Sequence, residues 1–353
     1  MIINNSFCEA KGASLRNFNE DILMDSINGA LALREHIEQI IDMIYDDDFD
    51  GIWFMGIGGT WASAMQAEVH VRGRSRLPIY CENAAEFLTT GNRKFTENSV
   101  AIISSVSGST REILDLCDRI HEIGGKVFSF VDTPDSPLTK RDKSDYLIVY
   151  PKNEQLKFFM AADYLMYRNG EFDDYERFYE NLENSLAEAL AETEELTDPW
   201  AYRYAEKQAA FHEARPDMPH YFVGCGNQWG AVYSLGMCYW EEQFWIRCRT
   251  VQAGEFFHGM LEIIDRQTPV TLFMGEDEQR PLAERVADFL PRICENYAVI
   301  DTREFPLTGI RPEYRGRISH LVMRAVNNRI EAYMEMFLRH PMEIRRYYGR
   351  MKY

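Results

Sequence analysis

Phe54-Met55-Gly56-Ile57-Gly58-Gly59-Thr60-Trp61 returns as Phe222-Val223-Gly224-Cys225-Gly226-Asn227-Gln228-Trp229, with Phe, Gly, Gly and Trp at the same four places 168 positions further on. Each copy follows a short apolar run, Ile52 to Met55 and Tyr221 to Val223, and opens a helical pattern. A strand, a glycine-rich turn and a helix begin a doubly wound α/β unit. Two copies predict two such units. A GxG after a strand is common by chance, and the matching aromatic positions are what give the repeat weight. Trp61 stands where a dinucleotide fingerprint needs its third glycine, so that motif is weak here.

Outward from the first copy, apolar runs at 78–80, 100–104, 127–131 and 146–149 alternate with helical patterns near 60–72, 109–123 and 155–167. That order predicts a parallel sheet buried on both faces. Around the second copy the candidate strands are 220–223, 247–252, 269–274, 297–301 and 318–323, with helices near 227–245 and 280–292. Residues 25–48 and 173–213 read as helical, and a last helix near 326–339 stops before His340-Pro341. The expected division is an N-terminal arm (1–27), a first α/β subdomain (28–172), linking helices (173–213), a second subdomain (214–340) and a tail (341–353).

A chain of 353 residues, 46% hydrophobic, is long enough for two ordinary domains with substantial cores. Its formal net charge of −18 opposes nucleic-acid binding, which needs a basic face. An anionic substrate would have to be held locally, by backbone N–H groups and hydroxyls. The seven cysteines, Cys8, Cys81, Cys117, Cys225, Cys238, Cys248 and Cys294, include no CxxC pair and fit a reducing compartment. With no basic, apolar leader at the start and no apolar stretch of membrane-spanning length, the expectation is a soluble cytoplasmic protein.

Two segments carry chemistry. Ser104-Ser105-Val106-Ser107-Gly108-Ser109-Thr110 follows a strand and precedes a helix. A helix start offers unpaired N–H donors and a partial positive charge, the hydroxyls add donors, and Gly108 permits close approach. The reading is a site for phosphate or another anion, with Thr60 of the preceding βα turn as a further donor. Ordinary N-capping also favours Ser and Thr, though one cap needs one such residue. No Gly-Lys-Ser/Thr follows, which excludes a Walker A loop.

The second segment is Ala253-Gly254-Glu255-Phe256-Phe257-His258-Gly259, with Glu242 sixteen residues before the histidine. Glu242 ends a helical pattern rich in Tyr239, Trp240, Phe244 and Trp245, where partial desolvation would make its carboxylate a better base. The competing reading is an exposed acid on an amphipathic helix. His258 is either an acid–base group or a structural turn residue, and Glu255 either touches substrate or bonds the loop backbone. No second histidine lies at metal-ligand spacing, so no zinc site is expected.

At these residues the chain resembles the sugar isomerase (SIS) phosphosugar-binding family. The resemblance covers the chain from about residue 28 onward and implies two flavodoxin-like α/β subdomains with parallel sheets. It is similar to the isomerase domain of glucosamine-6-phosphate synthase in the spacing of Glu242 and His258, which implies Glu242 as enolising base and His258 as the group assisting ring opening. The same alignment implies phosphate contacts for Thr60, Ser105, Ser107 and Thr110, with Ser109 and Glu255 as further substrate-binding candidates. A closer resemblance is to the bacterial fructosamine-6-phosphate deglycases, in the Gly-Glu-Phe-x-His-Gly form, the His340-Pro341 region and the Arg-Arg-Tyr-Tyr-Gly tail. The synthase has a lysine three residues before its base, and Tyr239 stands there in this chain. A deglycase, whose substrate already carries the nitrogen, does not need that lysine.

The resemblance therefore implies cleavage of a 6-phosphofructosyl amino acid to glucose 6-phosphate and free amino acid, without metal or redox cofactor, in a homodimer or larger homo-oligomer. An aldose–ketose isomerase, an aminosugar-phosphate deaminase and a non-catalytic sugar-phosphate sensor remain the alternatives.

Overall fold

A computed structural model of the protein describes residues 15–140 and 142–352. Cys8 and most of the N-terminal arm lie outside the described residues. The chain divides into two units, 24–187 and 188–352 joined by residues 15–23.

The first unit begins with two helices, α1 (Glu20–Leu31) and α2 (Arg34–Asp46), where one was expected over 25–48. Then come β1 (Gly51–Gly56), α3 (Gly59–Arg72), β2 (Ile79–Asn83), α4 (Ala84–Thr90), β3 (Ser99–Ser105), α5 (Arg111–Ile123), β4 (Lys126–Val131), β5 (Tyr146–Val149) and α6 (Glu154–Arg168). The strands form one parallel sheet in the order β2-β1-β3-β4-β5. This is the flavodoxin-like order, whose ligands bind outside the carboxyl ends of the strands where the order reverses. Here that switch lies between β1 and β3. All residues of β1 and β3 are buried, because helices cover both faces. Trp53, Met55, Ala101 and Ile103 face Leu116 and Ile120 of α5 on one side.

After α7 (Tyr175–Ala214) the second unit repeats the pattern with β6 (His220–Gly224), α8 (Gln228–Ser234), β7 (Cys248–Gln252), β8 (Val270–Met274), α9 (Arg280–Phe289), β9 (Tyr297–Asp301) and α10 (Arg315–Leu338). Its sheet is parallel with four strands, β7-β6-β8-β9. It follows the order of the first sheet, without a fifth strand among the described residues. The fold is thus two parallel sheets flanked by helices, as the repeat indicated.

One expected strand is a helix. Residues 318–323 lie inside α10, which starts eleven positions before the helix expected at 326. Ile318, Ser319, His320, Leu321, Val322 and Met323 are all buried. A helix enclosed on every side has no apolar stripe, so a short apolar run within it reads like a buried strand. The helix expected over 227–245 is also modified. α8 ends at Ser234, and Leu235–Glu241 continue as a π-helical turn. A Cβ on Gly236 would press on Thr250 and Cys248 of β7, so the wider turn lies tightly against the sheet.

Candidate functional site

The two glycine turns share a backbone. Gly58 has φ +62 and Gly226 has φ +61, the left-handed region that favours glycine. Their contents differ. At Gly226 the second unit supplies its own anion. Asp277 accepts the Asn227 N–H at 2.8 Å and the Gln279 N–H at 2.9 Å, and a Cβ on Gly226 would overlap its carboxylate.

In the first unit the segment that follows the neighbouring strand is built of hydroxyls. The hydroxyl segment leaves the buried end of β3 and turns at Gly108, φ +60, where any Cβ would strike Ser136. Ser105 Oγ accepts the Gly108 N–H at 3.1 Å, and Leu138 N–H donates to the Gly108 carbonyl at 2.9 Å. Ser107 Oγ accepts both the N–H and the hydroxyl of Ser109, at 3.2 and 3.1 Å. Ser107 and Ser109 are exposed and Thr110 is half-buried. Thr110 holds the N-cap position of α5, yet its side chain makes no capping bond. The capping explanation of the hydroxyl cluster therefore fails at the residue that would have carried it. The Ile113 N–H turns to the Thr110 carbonyl at 3.1 Å, and the Thr110 hydroxyl caps none of the first N–H groups of α5, at an end whose partial positive charge favours an anion.

Thr60 is committed to its own turn, accepting the Ile57 N–H at 3.1 Å and donating to the Ile57 carbonyl at 3.0 Å. One acid that the sequence analysis did not single out stands at this edge. Burial raises the pKa of Glu154, at the start of α6, while the neighbouring Ser63 and Ser104 hydroxyls act to lower it. In the sequence Asn153-Glu154 looks like an ordinary helix start, which is why it gave no signal. An acid-lined cavity among Ile44, Asp48, Glu97 and Lys126 lies at the opposite end of the strands and is unsuited to a phosphate.

In the second unit Glu242 follows the π-helical turn with helical backbone angles. Trp240, two residues before it, is fully buried against His220 and Phe222, with ring centroids at 4.5 and 4.8 Å. Glu241 faces Cys248 of β7, hydrogen-bonding it and raising the thiol's pKa in addition to the effect of burial. Glu242 points elsewhere, as adjacent helical residues must. Its side chain is 33% exposed, and Arg345 Nε donates to Oε1 at 2.7 Å. A guanidinium from the tail meets this carboxylate, where the sequence suggested a wall of aromatic rings.

The histidine turn follows β7. Phe256 is fully buried beside Val223 and Leu272, while Phe257 carries the Arg285 guanidinium at 4.1 Å from its ring centroid. This anchoring leaves Glu255, His258 and Gly259 exposed, with the His258 N–H donating to the Glu255 carbonyl at 2.9 Å. Among the described residues neither the Glu255 carboxylate nor the His258 ring has a hydrogen-bond partner. Successive strand residues point to opposite faces. Trp240 packs on the face of His220 and Phe222, and Phe256 on the face of Tyr221 and Val223. The segments carrying Glu242 and His258 therefore lie on opposite faces of one sheet. Thr60 and Ser105 to Thr110 belong to the first unit, and Glu242, Glu255 and His258 to the second.

The thiols are poor nucleophile candidates: burial pushes Cys81, Cys117 and Cys225 up to about 12. Among the described residues no group of three His, Cys, Asp or Glu is placed to hold a metal ion, and no helix is long and apolar enough to cross a membrane.

No family model matches the chain. It is 24% identical over 334 residues to the fructosamine deglycase FrlB of Bacillus subtilis, covering 91% of this chain and 98% of that one. It is also 24% identical over 323 residues to the fructoselysine 6-phosphate deglycase of Escherichia coli, covering 89% of each. A solved structure from Salmonella typhimurium, provisionally named a phosphosugar isomerase, superposes with a TM-score of 0.84 at 22% identity, over 91% of this chain and 97% of that one. The resemblance read from the motifs is thereby shown, and the fold is that of these phosphosugar-isomerase-like structures.

Proposed function

We propose that the chain is a phosphosugar deglycase that takes a 6-phosphofructosyl amino acid to glucose 6-phosphate and free amino acid. The observation that carries this reading is the uncapped, hydroxyl-rich start of α5. Its first N–H groups and the Ser105, Ser107, Ser109 and Thr110 hydroxyls suit a phosphate dianion in a chain whose overall charge repels one. The similarity to proteins named as deglycases supports the rest.

In this reading the loop holds the 6-phosphate, with Thr60 shaping the neighbouring turn and Glu255 near the substrate. His258 assists ring opening and then protonates the C2 oxygen. Glu242 removes a proton from C1, leaving an enaminol, and returns it at C2. The product is a C1 imine, which water hydrolyses to the aldose phosphate and the amine. Each such proton transfer by a placed group contributes roughly 10²–10⁴ in rate. No metal or redox cofactor takes part. The opposite faces occupied by the Glu242 and His258 segments support a homodimer in which His258 serves the partner's site. Scattered, unpaired thiols, three of the six described ones buried, fit a cytoplasmic setting.

The test is a coupled glucose 6-phosphate assay on phosphorylated fructosyl-lysine, -asparagine and -arginine. The expected result is equimolar glucose 6-phosphate and free amino acid from at least one. Release of ammonia would mean a deaminase, and interconversion of simple sugar phosphates an isomerase. Binding with no turnover of any of these would mean a sensor.

A further inference from the structure

Arg345 lies in the C-terminal tail, more than a hundred residues from Glu242, in a segment that looks like a loose basic end. The tail is not loose where it passes Glu242. Beyond α10 the Met342 N–H donates to Glu335 Oε1 at 3.1 Å. Trp245, three residues after Glu242, packs edge-on to His340 with ring centroids at 4.3 Å, and carries the Arg346 guanidinium at 4.1 Å. Between these anchors the Arg345 guanidinium donates to the tail's own carbonyls, Met342 and Ile344, and its Nε to Glu242 Oε1 at 2.7 Å. Glu242 Oε2 has no hydrogen-bond partner among the described residues.

We propose that Arg345 is a positioning residue for Glu242. It fixes the carboxylate by one oxygen and leaves the other free to take the substrate proton. This rests on the reading of Glu242 as the base. The pair is part-exposed, 20% for Arg345 and 33% for Glu242, and ion pairs of that exposure add little to stability. Orientation is a different quantity, since displacing a reacting group by about 1 Å can cost roughly 100-fold in rate. A guanidinium held by two backbone carbonyls gives the carboxylate a direction that solvent would not. Lysine at this place could reach one oxygen without making the same planar fork.

The experiment compares full-length Arg345→Ala, Arg345→Lys and Glu242→Gln by kcat, KM and thermal midpoint on a 6-phosphofructosyl amino acid. The expected result for Arg345→Ala is a kcat lowered roughly 10- to 100-fold, with KM within about threefold and an unchanged melting temperature. Arg345→Lys should fall between Arg345→Ala and wild type. Millimolar guanidinium ion should restore part of the Arg345→Ala rate and none of the Glu242→Gln rate. An inactive Glu242→Gln beside a fully active Arg345→Ala overturns the positioning role and leaves the base assignment standing. A fully active Glu242→Gln overturns the base assignment, and the positioning role with it. A loss confined to KM or to melting temperature in Arg345→Ala overturns the proposal as well, because it would make the tail a binding or structural element only.

Discussion

Thr110 shows how much one side chain decides. A threonine at a helix start is ordinarily its cap, and the sequence left capping and anion binding side by side. Its hydroxyl makes no capping bond, so capping does not account for the hydroxyls gathered at the start of α5. The expected consequence is that Ser107→Ala and Thr110→Val act on affinity. A lost hydrogen bond to a charged group costs about 1.5–3 kcal/mol, or roughly one to two decades in KM. Steady-state kinetics would show this as a raised KM at nearly constant kcat. A collapsed kcat with unchanged KM would contradict the phosphate assignment. Gly108 belongs to the same scale: at φ +60 and pressed on Ser136, it cannot carry a side chain without opening the loop.

At the scale of elements, β6 and α7 share a buried histidine pair. His212 Nε2 lies 3.2 Å from His220 Nδ1, and His220 Nε2 lies 2.8 Å from Thr271 Oγ1. Burial lowers His212 to about 4 and His220 well below its ordinary 6.5, the latter further depressed by His212 and Lys207. Both rings thus resist protonation in the folded protein and take protons at higher pH once unfolded. Their contribution is present above about pH 6.5 and is lost as pH falls from there toward 4 and below. Glu331 opposes this trend: burial raises it to about 7 despite Arg324, so it favours the fold as pH falls through the same window. Melting temperatures at pH 7 and pH 5 separate the two. His212→Asn should lose less between those pH values than wild type does. An identical drop in both proteins would remove the histidine pair as the acid-sensitive element.

On the scale of the whole molecule, the faces of the second sheet matter most. Glu242 and His258 are carried on opposite sides of it, which fits sites that take one residue from each of two chains. A closed two-fold is also the commonest symmetry among soluble oligomers. Mixing inactive Glu242→Gln with inactive His258→Ala under subunit exchange should then recover a share of activity, because a mixed dimer rebuilds one intact site. No recovery at any ratio, or a fully active monomer in sedimentation, would refute the shared arrangement.

By itself the sequence determined the repeat, the parallel sheets and the hydroxyl loop, because these depend on local signals. A strand buried on both faces is a run of Ile, Val and Phe, a left-handed turn demands glycine, and the hydroxyl loop gathers Ser and Thr within seven positions. Only the tertiary structure decided the rest. Residues 318–323 were legible as apolar and not as helix, since complete enclosure erases the periodicity that tells the two apart. Asp277 filling the second glycine turn, Glu154 beside the first and Arg345 on Glu242 join residues far apart in the chain. Such contacts leave no mark in local composition, because they are made by the geometry of packed layers, which brings distant side chains to one place only after the sheets have formed.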